Sequence, residues 1–452
     1  MKKSLLKILS AFLLSLTVAV CSVACGSKPG DSEGDSAGKT RITLWCQITQ
    51  ESFFRSIEKS FENEFNTIDI VIVSQPQTNL DSSLDARLIT TGAPDIVACN
   101  GGLVAGNLVA SGRLVNIDDI IKPLEGNLTA GARTNKIDGN GEYYTAPLHG
   151  FASPVVFYNK DMFEEMQSSG KLTAAQREAV KEPSTYDEFV ALADACRAYT
   201  SATKSTAHAL SAGFSTWHLP HFMQAIHSRT MTVEEYSKLL DRNADPNPFD
   251  TDGYENGFRL LRQYYDDGIL DSSVTSYSVD DVDSLFYYGS TAMVMGVSLD
   301  YETLADNSTF EIGAFYLPKD SDNQDAPRAN SVYCDVIAIN SRTTALEACK
   351  SFISYVMRAD VQANLADYGL FPARSDADIT GRMSSTLVKL FDEISAGSND
   401  FYQSWSYPNT DITVLNAGKS VLQASAGNVD AECANARTTL ANFFNENKSH
   451  RN

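Results

Sequence analysis

The chain has 452 residues, 43% of them hydrophobic and 21% charged, which is enough apolar material for a core and too little charge for a disordered polymer. Lys and Arg number 36 against 57 Asp and Glu, a net charge of −21. Such a surface repels phosphate backbones, and with no basic patch in the sequence it excludes nucleic acid as a partner.

The first segment is an address. Lys2, Lys3 and Lys7 precede the apolar run from Ile8 to Val20, too short to span a bilayer comfortably, so residues 1–24 read as an export signal. Ser22-Val23-Ala24-Cys25-Gly26 has the small residues of a bacterial lipobox, which predicts cleavage before Cys25 and a lipid on its sulfur. Ser22 stands where a lipobox usually has Leu, and a simple secretory peptide is the alternative. Removing residues 1–24 takes away three Lys and no acid, bringing the charge to −24. Residues 25–40 are rich in Gly and Ser without apolar period, a tether of about 20 Å root-mean-square reach.

Strands and helices then alternate. Arg41 to Trp45 has period two, and Phe54, Ile57, Phe61 and Phe65 recur at helical steps. Ile68 to Val73 predicts a buried strand, Leu80, Leu84 and Leu88 a helix, and Gly92-Ala93-Pro94-Asp95 a turn into the strand Ile96 to Cys99. This is βαβαβ, hence a parallel sheet. Asp138-Gly139-Asn140-Gly141 signals a hairpin, and Val155 to Tyr158 opens a second α/β series. Thr185 and Glu188 form a capping box before Phe189, Leu192, Cys196 and Tyr199, and another helix carries Tyr254, Phe258, Leu261 and Tyr265 up to Gly268. Strands are predicted at 291–295, 310–315 and 332–339, and a helix on Leu346, Cys349, Phe352 and Val356. Cys46, Cys99, Cys196, Cys334, Cys349 and Cys433 lack any Cys-x-x-Cys spacing and sit among apolar neighbours, which predicts buried free thiols although export permits disulfides.

Several catalytic patterns fail on a single residue. Gly38-Lys39-Thr40 lacks the upstream glycine and strand of a phosphate loop, and Gly213-Phe214-Ser215-Thr216-Trp217 ends in Trp where a nucleophile elbow needs Gly. His218 and His221 lack a glutamate and a third ligand, and the calcium-loop-like run from Asp241 has Pro246 in place of the turn glycine. No metal and no cofactor is expected. The three tryptophans, Trp45, Trp217 and Trp405, fall at strand ends or in polar loops, as expected of rings that cap a local core or line a sugar-binding cleft.

A series of segments then carries a resemblance: Ile42-Thr43-Leu44-Trp45, Phe61-Glu62-Asn63-Glu64-Phe65, Thr91 to Val97, Ser111 to Ile117, Tyr143-Tyr144-Thr145-Ala146-Pro147, Phe157 to Phe163, Pro183 to Phe189, Phe286 to Met293 and Phe371-Pro372-Ala373-Arg374. In this order, behind a lipobox, the chain from about 41 to 445 resembles the extracellular solute-binding proteins of bacterial ABC importers, in the carbohydrate-binding family that includes maltose-binding protein. The resemblance implies an α/β, two-lobed, type II periplasmic-binding-protein-like fold with a ligand cleft between lobes joined by hinge crossovers. The lobes would be 41–151 plus 305–368 and 152–304 plus 369–452. Ligands of open α/β sheets sit beyond the carboxyl ends of strands, and the matched positions name Gln47, Asn100, His149, Phe214, Trp217, Tyr301, Tyr333, Asp335 and Trp405 as ligand-binding candidates. In the family the segment after Ala292-Met293 usually reaches a Gly-x-Trp-like aromatic; here it reads Gly296-Val297-Ser298-Leu299-Asp300-Tyr301, so Tyr301 is the expected substitute platform. The implied activity is capture of a sugar or oligosaccharide by a monomeric, non-catalytic receptor, lipid-anchored through Cys25 to the outer face of the cytoplasmic membrane, and delivery to ABC permease subunits. An exported glycan-processing enzyme and a ligand sensor for a membrane receptor are the alternatives.

Overall fold

Elements begin where the hydrophobic period changes. The computed structural model describes residues 38–101, 103–133, 141–204, 206, 208–239, 244–318, 330–395, 401–403 and 410–448. β1 (Thr40–Gln47) buries Ile42, Leu44 and Cys46 in alternation, and α1 (Ile48–Glu64) follows at once, turning Phe53, Phe54, Ile57 and Phe61 inward. β2 (Ile68–Gln75), α2 (Gln77–Arg87) and β3 (Ile96–Asn100) complete the expected βαβαβ, with β1 parallel to β3 and Leu44 opposite Ile96.

β4 (Ala146–Ser153) then runs into β5 (Val155–Asn159) with only Pro154 between them. Proline has no N–H to give a ladder, and the strand changes sheet there. Beyond it come α3 (Tyr186–Lys204), β6 (His208–Ser211), α4 (His218–Thr230), α5 (Asp252–Asp266), β7 (Thr291–Gly296), α6 (Tyr301–Asn307) and β8 (Ile312–Tyr316). The chain returns through β9 (Asn330–Ile339), α7 (Leu346–Val356), β10 (Phe371–Pro372), α8 (Ser385–Ser395), β11 (Phe401–Gln403), α9 (Thr410–Gln423) and α10 (Val429–Lys448).

Two sheets result. The larger has the order β10-β4-β9-β3-β1-β2, with β11 pairing with β9, and the smaller the order β6-β7-β5-β8. β9 lies antiparallel between β3 and β4, so the larger sheet is mixed where a parallel one was expected. β9 enters the larger sheet after β8 of the smaller one, and the βαβ pattern read from residues 41–99 speaks only for the strands within it. β8 pairs with β5 in the smaller sheet, and Phe371–Pro372 with β4 in the larger. Hydrogen-bond partners of single strands leave no trace in their own sequence.

The smaller sheet has two apolar faces. Val155, Phe157, Val294, Ile312, Ala314 and Tyr316 join one core cluster with α1, α7 and α8 of the larger sheet's surroundings. Val156, Tyr158, Met293, Met295 and Phe315 point into a second cluster with α3, α4, α5, α9 and α10. Strands buried on both faces need continuous apolar runs, as Val155 to Tyr158 and Ala292 to Met295 supply. The six cysteines from Cys46 to Cys433 are free and buried, as expected.

The hairpin expected at Asp138 to Asn140, the signal, Cys25 and Trp405 lie outside the described residues. Among the described residues, no helix is long and apolar enough to cross a membrane.

Candidate ligand-binding site

Four of the expected residues meet at one edge of the larger sheet. β1, β3 and β4 run in the same sense; Gln47 and Asn100 end β1 and β3, and His149 lies in the middle of β4. Asn100 is opposite Asp335 on β9, Asp335 is opposite His149 on β4, and His149 is opposite Pro372 on β10. One rung of the sheet therefore lines up Asn100, Asp335, His149 and Pro372. A register irregularity between Pro147 and His149 resets the pairing just before this rung. Gly101 continues from it so close to β9 that a Cβ there would stand 2.1 Å from the Cys334 carbonyl oxygen, so no larger residue fits.

The side chains form a buried polar cluster. Gln47, Gln50, His149 and Asp335 are between 0% and 7% exposed. Gln50 Oε1 accepts the Gln47 backbone N–H at 3.1 Å, and Gln50 Nε2 donates to Asp335 Oδ2 at 3.0 Å and lies 3.3 Å from His149 Nε2. His149 Nε2 is 3.5 Å from Asp335 Oδ2. Gln47 Nε2, His149 Nδ1 and Asp81 Oδ1 have no hydrogen-bond partner in the protein. Since burying an amide or imidazole N–H without a partner costs roughly 1–3 kcal/mol, the two nitrogens are costly unless something else engages them, and the Asp81 oxygen on α2 adds to that cost.

The electrostatics are set chiefly by burial. Burial pushes the Asp335 carboxyl from 3.8 up to about 7, repulsion from Asp81 adds to this, and the Gln50 hydrogen bond opposes it. Asp81, on α2, is raised to about 6 by burial against hydrogen bonds from the Asn100 backbone and Gln77. Burial lowers His149 to about 4, so its ring is neutral near pH 7. No Lys or Arg among the described residues bonds to Asp81, His149 or Asp335, so the cluster offers an anion no counter-charge and suits an uncharged, hydroxyl-rich molecule.

The remaining candidates are spread out. Tyr333 lies on β9 opposite Phe151, two residues from Asp335. Trp217 is 42% exposed at the head of α4, its ring edge-on to His218 at 4.2 Å and His221 at 5.3 Å. α4 packs against β4 and β9. His218 is fully buried, and neither ring nitrogen has a protein partner. Tyr301 is partly buried against the first core cluster, 6.2 Å from the Phe157 ring. Phe214 has no exposure and packs on Phe222 at 5.1 Å, a core ring of the second cluster. Gln50, Asp81 and His218 were not among the candidates. Gln50 leaves a trace in the sequence, as a polar residue heading the helical stripe of Phe54, Ile57 and Phe61, whereas Asp81 sits beside its stripe and has none.

Among curated proteins no relative matches the sequence. The family of bacterial extracellular solute-binding proteins matches residues 57–386. The chain belongs to that family. Its members are binding proteins that act outside the cytoplasm, and this solute-binding protein shares their fold with solved structures of low sequence identity. RafE from Streptococcus pneumoniae, in its apo form, superposes with a TM-score of 0.69 at 18% identity, covering 94% of this chain and 100% of that one. MalE from Listeria monocytogenes, in complex with maltose, gives 0.68 at 14%, covering 91% and 99%. AcbH, described as a bacterial solute receptor with an exclusive preference for β-D-galactopyranose, gives 0.72 at 16%, covering 90% and 99%. The solute-binding protein is thus α/β with the type II periplasmic-binding fold, as expected from its sequence.

Proposed function

We propose that this solute-binding protein captures a neutral sugar or oligosaccharide and hands it to the permease of an ABC importer. The observation that carries the reading is the rung of Asn100, Asp335 and His149 beside Gln47, with buried donors on Gln47 and His149 that lack protein partners and, among the described residues, no Lys or Arg bonded to the cluster. Sugar hydroxyls both donate and accept, so they can engage amide, imidazole and carboxyl groups at once, while an aromatic plane such as Trp217 takes the C–H face. Maltose and raffinose complexes among the similar structures support a carbohydrate as the ligand class. No catalytic residue is invoked.

The two lobes are assigned to the two sheets. One holds residues from about 41 to 153 with β9 and β10, the other about 155 to 316 with α9 and α10, and Pro154 is one of the crossings between them. Ligand held by both lobes favours the closed arrangement by its extra contacts there, hinge closure of periplasmic binding proteins being an established repertoire. A monomer tethered by a lipid on Cys25 holds the receptor beside its permease. Tyr301, Tyr333 and Trp405 remain candidate contacts with Trp217.

The test is a glycan panel read by thermal unfolding. A true ligand at a hundred times its dissociation constant adds about 2.7 kcal/mol of stability. A panel in which only peptides, metals or nucleotides raise the melting temperature overturns the carbohydrate reading. Labelling with a radioactive fatty acid, lost in Cys25→Ala, tests the anchor.

A further inference from the structure

Gln50 holds three hydrogen-bonding positions that leave its amide no freedom. Its Oε1 is taken by the Gln47 backbone N–H at 3.1 Å, which can only donate. The amide nitrogen must therefore point toward Asp335 Oδ2 at 3.0 Å and His149 Nε2 at 3.3 Å. An amide NH2 has two hydrogens and no acceptor, so with one hydrogen on the carboxylate the other meets His149 Nε2, which has to accept. A neutral imidazole whose Nε2 accepts carries its proton on Nδ1, and that atom is buried without a partner in the protein. Gln47 Nε2, three residues before Gln50 at the end of β1, is a second buried donor in the same condition.

We infer that Gln50 is a positioning residue that locks His149 in the Nδ1–H tautomer, so that His149 Nδ1–H and Gln47 Nε2–H stand as paired donors for adjacent oxygen acceptors of the ligand. Its use in recognition rests on the sugar-binding reading, but the tautomer does not. The chain of dependence runs from Asp335 through Gln50 to His149, and none of the first two has to touch the ligand. The site then selects on its donor side for ligand oxygens and turns away a protonated amine at that position, which brings only hydrogens.

The tautomer can be read without any ligand. In protein labelled with 15N-histidine, the two ring nitrogens of His149, assigned by loss of its signals in His149→Asn, report which one carries the proton in a long-range 1H–15N correlation near pH 7.5. The expected result is a protonated Nδ1 and a bare Nε2. In Gln50→Met, which keeps the volume and removes the amide, Nε2 is free to donate to Asp335 and the population should move toward Nε2–H, with the affinity for whichever of maltose, raffinose or galactose binds falling about 3- to 10-fold. Wild-type His149 protonated on Nε2 overturns the inference, and so does a Gln50→Met spectrum identical to wild type. If Gln50→Met does not fold, the wild-type spectrum decides alone. An Nδ1–H signal in a protein that none of the three sugars stabilises would keep the tautomer and remove the sugar.

Discussion

Replacing Asp335 with Asn should stabilise the protein in alkaline buffer and change little in acid. The Asp335 carboxyl is buried, held at about 7 in the fold against 3.8 unperturbed, because water is excluded and Asp81 is near. A folded-state value above the unfolded one means that the fold prefers the protonated acid. That preference is fully present below about pH 4, is lost as the pH rises from 4 to 7, and above 7 leaves the fold carrying a buried carboxylate. The interval between 3.8 and about 7 corresponds to at most roughly 4 kcal/mol. Relaxation of the surroundings, the charge-assisted bond from Gln50 and a burden shared with Asp81 reduce the expected gain to about 1–3 kcal/mol. Asn keeps the shape, and its Oδ1 can accept from Gln50 Nε2. Urea titrations of wild type and Asp335→Asn at about pH 4 and about pH 9 would separate the effects, with m-values compared to confirm that only the midpoint moves. A variant destabilised by the same amount at both pH values would refute the reasoning, because packing loss has no pH dependence. Under the proposed function the same variant should bind a sugar more weakly, since an acceptor of the candidate site has become half donor, so stability and capture would trade against each other at this position.

Gly257→Ala on α5 should destabilise by about 1–3 kcal/mol or more in a thermal melt, although Ala is the better helix former by roughly 1 kcal/mol. The new Cβ would stand 2.2 Å from His227 Cδ2, and His227 is pinned on the Tyr254 ring at 3.9 Å, so a variant as stable as wild type would mean that the ring can move. His218 is buried neutral, lowered from 6.5 to about 3 by burial, so it contributes stability above pH 6.5 that is lost as the pH falls through 6.5 toward 3. His218→Gln should accordingly flatten the acid limb of a stability–pH profile, and an unchanged slope between about pH 7 and about pH 5 would count against the assignment. Trp217→Ala should raise the Kd for the proposed sugar ligand about 2- to 10-fold and leave the melting temperature in place, since Trp217 is 42% exposed; equal affinities would remove Trp217 from the candidate site. The thiols from Cys46 to Cys433 are all buried and pushed up by burial, Cys196 beyond any physiological pH, so a thiol reagent should find none of the six in the native protein and all of them in denaturant.

The sequence was legible where one element speaks for itself. The period of Ile42, Leu44 and Cys46, and the stripe of Phe54, Ile57 and Phe61, announce β1 and α1 because burial of one face is a local demand. The carboxyl-edge rule then pointed to Gln47, Asn100 and His149, and the family resemblance to Asp335, residues of four strands far apart in the chain. What stayed hidden was pairwise. Nothing in Ile312–Tyr316 says that its partner is β5, and nothing in Gln50 alone says that it faces an imidazole and a carboxylate. Phe214 shows the converse, an aromatic at a matched position that the surrounding α4 and α5 absorb into their core.

The direct passage of β4 into β5 has a mechanical consequence. A strand with one proline between two sheets has little slack, so under the proposed hinge a swing of one sheet against the other is taken up in part by torsions around Pro154, one of the crossings between them. Displacement grows with distance from a fulcrum, and His149 lies on the same strand only five residues away. Under the proposed hinge, His149 should therefore shift little, and residues farther from Pro154 should carry most of the displacement.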